Sequence, residues 1–187
     1  MKPLNTTDFD VTTWEPRERS APQEGVTIYR ELRLDPERNK CEELRSVEAS
    51  LSSELPVLRD FGYEVLSHNP DAVNLERAVN QKLPLLFGRD HNDQIGTAEN
   101  VRVHDGVLRG NLRFSKGARG EQMWQDVKDG IVQSVSIGYT IEKMERNNGS
   151  GDDAVYTAVR WRPHEVSCVG VPADHTVGIG RQMERGL

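Results

Sequence analysis

The alternation of apolar and small polar residues between Asp129 and Met144 constrains the fold of this chain more than any other feature. The apolar positions of this stretch are Val135, Ile137, Tyr139 and Ile141. The positions between them are Ser134, Ser136, Gly138 and Thr140. Strict alternation over this length predicts a β-strand with one face on a core. Glycine is a poor strand former and serine adds little packing. The second face of the strand is therefore either shallow and solvated, or it is kept small so that another group can come close to a serine hydroxyl.

Other stretches carry strand or helix patterns, and together they predict a mainly β chain with two or three helices. Predicted strands are residues 26–34, 45–54, 106–114, 155–161 and 165–174, with a short strand and a loop in 56–68. Predicted helices are residues 71–80 and 115–130, the second capped by Ser115 and ended by Gly130. The polar stretch 145–153 separates two strands, so these strands are expected to pair as a long hairpin. The fold class is therefore α+β.

The composition narrows the class of protein. The 187 residues suffice for one domain with extensions, and residues 1–25 lack sustained periodicity, which predicts a mobile N-terminal arm. The net charge of −6 with no basic block argues against a sequence-independent nucleic-acid binder. Apolar runs are too short for a membrane span or a signal peptide. Cys41 and Cys168 are expected to be free thiols in a reducing, cytoplasmic setting.

Ser136 is a candidate nucleophile, although a strand serine is more often an ordinary half-exposed residue. A serine hydroxyl becomes nucleophilic only when a base takes its proton. The local pattern Val-Ser-Ile-Gly is not G-x-S-x-G and lies in a predicted strand, so a nucleophile elbow is a poor match. Ser134 has the same parity and competes for the same role.

His91 and Glu165 are candidates for the base and for the group that orients it. His91 follows the apolar run "LPLLF" and is surrounded by polar turn residues, which also fits an ordinary loop histidine. Glu165 leads into an apolar strand, and a carboxylate there could orient a histidine ring. It could equally be a solvated strand end or a partner of Arg160 or Arg162. The other histidines, His68, His104, His164 and His175, are rivals for the base.

Motifs for metals, phosphates and thiol chemistry are lacking in the sequence. It contains no H-E-x-x-H, C-x-x-C or H-x-H pattern, and "RNNGSGDD" lacks the lysine of a phosphate loop. No cofactor is therefore expected. A thiol nucleophile at Cys168 with His164 is disfavoured because the i, i+4 spacing does not align on one strand face, so Cys168 is predicted to be a core residue.

Three segments of the chain together resemble the prohead serine proteases of tailed phages. The first segment is "PLLFGRDHNDQIGTAENVRVHDGVLRGNLRFS", the second is "MWQDVKDGIVQSVSIGY" and the third is "RWRPHEVSCVGVPAD". The resemblance runs from about Arg45 to about Arg181 and implies a protease domain at 26–181 with a tail at 182–187. It also implies a fold similar to the herpesvirus assemblin, a mainly antiparallel, barrel-like β core with a few flanking helices.

The resemblance also implies roles for particular residues. It maps the nucleophile onto Ser136, the general base onto His91 and the third member onto Glu165, while assemblin's use of a second histidine keeps His164 open as the alternative. The oxyanion is expected to be held by backbone N–H groups. Activity is expected to fall as pH drops through about 6 to 7, where an ordinary histidine takes up a proton. The sequence departs from many relatives at Arg89, where they carry Asn or Trp.

The function that the resemblance implies is cleavage of capsid and scaffold protein, and of the protease itself, during prohead maturation. The expected partners are the major capsid protein with its scaffold segment as substrate, and a second copy of the chain in a homodimer. The expected location is the inside of the immature capsid in the host cytoplasm. The alternative is a catalytically silent assembly or scaffold module of the same fold, which would be expected to lack one of the three groups.

Overall fold

The computed structural model describes residues 25, 27–33, 41–147 and 154–170 of the chain. The strands are β1 (Thr27–Arg33), β2 (Ser46–Ser53), β3 (Val57–Arg59), β4 (Gly62–Leu66), β5 (Leu83–Phe87), β6 (Asp90–His104), β7 (Val107–Phe114), β8 (Ser134–Asn147) and β9 (Val155–Val169). The helices are α1 (Glu76–Gln81) and α2 (Ala118–Lys128). The predicted tail, and the predicted arm apart from Gly25, lie outside the described residues.

All nine strands belong to one sheet. Its main path runs β1-β8-β9-β5-β6-β7-β2, and β4 joins it by pairing with β9 while β3 pairs with β4. The β4–β9 and β5–β9 pairs are parallel and the others are antiparallel. The resemblance implied a mainly antiparallel core. The sheet is mixed because it also contains these two parallel pairs.

The sheet is curled into a half-barrel. The evidence is that its two outermost strands, β1 and β2, contact each other through side chains. Arg30 on β1 donates a hydrogen bond from Nη1 to the backbone oxygen of Ser53 on β2 at 2.7 Å. β1 and β2 are nevertheless the two ends of the paired path. This confirms a mainly β fold with few helices.

The core fills the concave side of this sheet. The apolar positions of β8 that the alternation predicted, Val135, Ile137, Tyr139 and Ile141, are at most 1% exposed and belong to the core. The long hairpin of β8 and β9 is confirmed, with Ser134 opposite Val169 at one end and Asn147 opposite Val155 at the other. The opposite face of β8 is not solvated, since its serines are also buried.

Several local predictions need correction. The predicted strand 155–161 and the part of the predicted strand 165–174 up to Val169 form a single strand, β9, while residues 171–174 lie outside the described residues. Helix α1 begins at Glu76 and not at residue 71, because Val73 instead makes an isolated bridge to Trp161. Helix α2 has Gly117 and not Ser115 at its N-cap, since the Ser115 N–H bonds to the Ile95 carbonyl.

Three further expectations concern the ends of elements and the thiols. Gly130 does follow the end of α2, in a left-handed conformation with φ of 71°. The predicted loop and short strand in 56–68 form a hairpin of two short strands, β3 and β4. Cys41 and Cys168 are free thiols, as predicted. Among the described residues, no helix has the length and apolar character that crossing a membrane requires.

Candidate active site

The β8–β9 ladder brings two of the predicted site residues together. Ser136 on β8 is directly opposite Ser167 on β9, and Gly138 is opposite Glu165. Side chains of one parity share a face of a strand, so Ser136, Glu165 and Ser167 point to the same side of the ladder, away from the core. All three are buried, with exposed fractions of 0%, 2% and 0%.

The β5–β6 hairpin brings the third residue to the same place. Its two-residue turn consists of Gly88 and Arg89, both with positive φ (61° and 63°), as in a type I′ turn. The Gly88 N–H bonds to the Cys168 carbonyl of β9 at 2.9 Å, which fixes the turn beside the β8–β9 ladder. His91 follows on β6 and is exposed. It therefore lies on a strand and not in the polar loop that the sequence predicted.

Two polar contacts are found at this place, one between the turn and β8 and one within β9. Arg89 donates from Nε to the Ser136 Oγ at 3.2 Å. The Ser167 hydroxyl donates to Oε2 of Glu165 at 2.6 Å. Together with His91, these residues are called the Ser136 cluster, which consists of Arg89, His91, Ser136, Glu165 and Ser167.

Glu165 is the titratable group of the cluster with the clearest perturbation. Burial raises the pKa of its carboxyl above the ordinary range. The Ser167 hydrogen bond and the positive charges of His91 and Arg89 act in the opposite direction and do not outweigh burial. The charge of His91 acting on this carboxyl agrees with the position of His91 on β6, next to the turn that is bonded to β9. Oε1 of Glu165 is buried without a hydrogen-bond partner among the described residues.

The three predicted groups are not connected by direct hydrogen bonds in this structure. Within the described residues, Ser136 accepts from Arg89 and makes no hydrogen bond with His91. Catalytic hydrogen bonds are often long in unliganded sites and shorten when substrate binds. The structure brings the three residues to one region of the sheet without a hydrogen bond between Ser136 and His91.

The rival residues lie elsewhere. Ser134 is opposite Val169 and outside the cluster. His164 is hydrogen-bonded to the Thr140 hydroxyl, and its pKa is lowered by burial and then by the charges of Arg162 and Arg77.

The other two described histidines are also distant from the cluster. His104 pairs with its neighbour Asp105 on the surface, and His68 is buried against Ser52. His175 lies outside the described residues. The cluster therefore contains only one histidine among those described, His91.

Neither the Cys168 thiol nor a metal-binding group offers a second candidate site within the described residues. Cys168 is buried in the core, where burial raises the pKa of its thiol to about 12, as expected for a packing residue and not a nucleophile. Within the described ranges, no group of three or more His, Cys, Asp or Glu side chains is placed to hold a metal ion.

Sequence reasoning missed two members of the cluster. Ser167 shares the parity of Glu165 two residues earlier, so strand periodicity could have placed both on one face. Arg89 stood out only as a departure from relatives, and its contact with Ser136 depends on a turn and a strand pairing that the sequence does not reveal.

The described part of the chain is a mainly β half-barrel with a buried serine, an imidazole and a carboxylate on three separate strands. The chain belongs to the caudovirus prohead serine protease family, whose pattern matches residues 64–186. All three site residues lie inside this match.

Individual relatives agree with the family. The chain is 41% identical over 140 residues to a major capsid protein of Halomonas phage phiHAP-1, a match that covers 73% of this chain and 23% of the relative. It is 24% identical over 99 residues to a capsid polyprotein of Pseudomonas phage PAJU2, covering 49% of this chain and 14% of the relative. The chain thus spans less than a quarter of the length of the curated relatives it matches.

The fold also matches a solved structure. The bacteriophage T4 capsid assembly protease superposes with a TM-score of 0.50 at 12% identity, covering 78% of this chain and 98% of that chain. At this identity the likeness concerns the fold alone. It supports the description of the sheet as one similar to that of a phage protease.

Proposed function

We propose that this chain is a serine endopeptidase that cleaves capsid and scaffold protein, and itself, during maturation of a phage prohead. The observation that carries the proposal is the meeting of Ser136, His91 and Glu165 from three different strands at one place in the sheet. Membership of the prohead protease family supports the reaction class. The name of the Halomonas phage relative, a major capsid protein, supports capsid protein as the substrate.

In the proposed mechanism, Ser136 is the nucleophile and His91 is the general base. Ser136 attacks the scissile carbonyl carbon, and His91 takes the hydroxyl proton and later donates it to the leaving amine. Water then attacks the acyl-enzyme, with the same imidazole as base. Since the Ser136 hydroxyl is fully buried, the groups that cover it must move before a peptide can bind.

Glu165 is proposed as the third member in preference to His164. Its free Oε1 can accept the second N–H of His91, and the resulting ion pair stabilises the imidazolium that forms during attack. His164 is occupied by Thr140 and is influenced by charges outside the cluster. The electrostatic coupling of Glu165 to His91 supports the same choice.

The proposal also covers the setting of the reaction. The enzyme is proposed to act as a homodimer inside the immature capsid in the host cytoplasm, with a fold similar to the herpesvirus assemblin. The family supports a phage prohead setting, and the likeness to the T4 protease supports only the fold.

The test is the intact mass of capsid protein co-produced with this chain, comparing the wild type with Ser136→Ala. The matched control is Ser134→Ala, which makes the same change two residues away on the same face of β8. We expect cleavage with the wild type and with Ser134→Ala, and full-length capsid protein with Ser136→Ala. Cleavage by Ser136→Ala would contradict the assignment of the nucleophile. Full-length capsid protein with every variant would favour the silent assembly module.

A further inference from the structure

The start of β6, which carries His91, contains a bulge. On β5, the consecutive residues 86–87 are opposite Gln94 and Asp90, which are four positions apart on β6. The three residues between them, 91–93, therefore face no residue of β5. β7 pairs with β6 only beyond this stretch. Within the described part of the sheet, strand pairing thus fixes the two ends of the bulge and gives His91 itself no partner residue.

One side chain of helix α2 contacts both strands of this hairpin. Arg119 donates from Nε at 3.1 Å and from Nη2 at 2.8 Å to Oδ2 of Asp93, the last residue of the bulge. Its guanidinium also lies over the ring of Phe87, with 4.5 Å to the ring centroid. Phe87 is the last residue of β5. Arg119 therefore joins the residue before the turn to the residue that ends the bulge.

Helix α2 gives Arg119 a fixed starting point. Three apolar side chains of this helix are at most 2% exposed and belong to the core: Met123, Trp124 and Val127. Arg119 lies in the first turn of the same helix. Bulges near active sites commonly re-aim a side chain, and Asp93 is only two residues from His91. The contact with α2 therefore acts on the short piece of backbone that directs the imidazole.

The contact between Arg119 and Asp93 is better suited to fixing a direction than to stabilising the fold. Their side chains are 44% and 26% exposed, and ion pairs in contact with water contribute little to folding because solvent screens them. The planar guanidinium nevertheless matches the two oxygens of a carboxylate and stacks on an aromatic ring. Lysine lacks this planar group, so it cannot reproduce both contacts.

We infer that Arg119 is a positioning residue for the general base; this inference rests on the proposed function. By holding Asp93 and Phe87 together, Arg119 fixes the shape of the bulge. The bulge in turn directs the His91 imidazole toward the Ser136 hydroxyl when a substrate is bound. A base must come within hydrogen-bond reach of the proton it takes, and a misplacement of about 1 Å can cost roughly 10²-fold in rate.

The test measures by intact mass how fast a fluorophosphonate probe labels the 187-residue chain. The Ser136 Oγ forms a bond to phosphorus, fluoride leaves, and the base takes the hydroxyl proton. The dependence on probe concentration separates the maximal rate from the half-saturating concentration. We expect Arg119→Gln to lower the maximal rate by roughly 10²-fold and to leave the half-saturating concentration unchanged. Arg119→Lys keeps the charge without the planar group and should give an intermediate rate.

The matched control is Arg102→Gln. Arg102 lies on β6 as well, forms an ion pair with Glu48 at 2.6 Å and has a side chain that is 48% exposed. Its variant should label as fast as the wild type. The melting temperatures of Arg102→Gln and Arg119→Gln should both stay within about 4 °C of the wild type. A much larger decrease for Arg119→Gln would show a structural role and overturn the inference.

A protein without the base separates positioning from a general effect on the site. In His91→Ala, imidazole added to the buffer can take the hydroxyl proton, and this rescued labelling does not depend on the bulge. Adding Arg119→Gln to His91→Ala should therefore leave the rescued rate unchanged. A further decrease in the double variant would overturn the inference, as would a single Arg119→Gln variant that labels as fast as the wild type.

The same measurements distinguish this inference from the proposed function. Either of the two contrary results leaves the proposed function standing, because Ser136 would still be labelled with the help of His91. A wild type that labels no faster than Ser136→Ala would instead overturn the proposed function, and the positioning role of Arg119 with it.

Discussion

Mild acid is expected to destabilise the protein through His68. This imidazole is 4% exposed, is hydrogen-bonded to the Ser52 Oγ at 2.8 Å and packs edge-on against Trp161 with 5.6 Å between ring centroids. Burial lowers its pKa to about 4, with Glu54 acting against the shift and Arg30 adding to it. Protonating His68 in the folded protein is therefore unfavourable.

The sign and size of the effect follow from linkage. The unfolded chain, with an ordinary histidine pKa of about 6.5, binds the proton more readily than the folded chain between about pH 6.5 and about pH 4. Folding stability is therefore complete above this window and is lost as pH falls through it. At about 1.4 kcal/mol per pKa unit the full loss is about 3 kcal/mol, of which about 2 kcal/mol is lost by about pH 5.

The assay is urea unfolding of the wild type and His68→Gln at several values between about pH 7.5 and about pH 5. Glutamine retains polar groups near Ser52 and does not titrate, so it changes stability by a constant amount. We expect the free energy of unfolding of the wild type to fall by about 2 kcal/mol more than that of His68→Gln over this range. Parallel curves for the two proteins would refute the reasoning. The same curves identify the pH range in which the wild type stays folded, so that a loss of activity in that range reports on His91 and not on unfolding.

The other predictions concern the site, the buried charges and a close backbone contact. Glu165→Gln should lose activity. Its melting temperature should rise relative to that of the wild type as pH increases above about 4.5, because the buried wild-type carboxyl has a raised pKa and its ionisation costs stability. Equal pH dependence of the two melting temperatures would contradict this. Glu64→Gln should lower the free energy of unfolding by about 3–5 kcal/mol, since it leaves two guanidinium groups without their buried carboxylate, whereas Glu121→Gln, which removes an exposed carboxylate, should lower it far less in the same denaturant titration. Gly96→Ala should cost at least about 1–3 kcal/mol by calorimetry because its Cβ would lie 2.1 Å from a backbone oxygen of β7. Gly117→Ala should cost less than about 1 kcal/mol, because its Cβ would make only an ordinary contact with the Ser115 Oγ at 3.7 Å.

The elements that could be predicted are those whose signal is local. The period-2 pattern around Ser136 indicated β8 and its buried face, and the polar stretch after it indicated the hairpin with β9. Both depend only on neighbouring residues along the chain. The three site residues were identified by resemblance, and their roles stay a prediction.

The features that could not be predicted depend on pairing between distant segments. His91 was expected in a loop because the residues around it are polar, yet β6 begins at Asp90 and its exposed residues are strand residues at the rim of the sheet. The parallel pairing of β5 with β9, which brings Arg89 to Ser136, joins segments that are far apart in sequence. Single-residue patterns carry no information on such registers.

The position of β9 has a consequence for the order in which the site is assembled during synthesis. Among the described residues β9 is the last strand along the chain, yet it lies in the middle of the sheet, between β8 and β5. Until β9 has left the ribosome, the strand with Ser136 and the hairpin with His91 have no common neighbour, and Glu165 has not been made. A partly synthesised chain therefore cannot assemble the Ser136 cluster, and the peptidase proposed here would be harmless to the proteins around it until its last strand is in place.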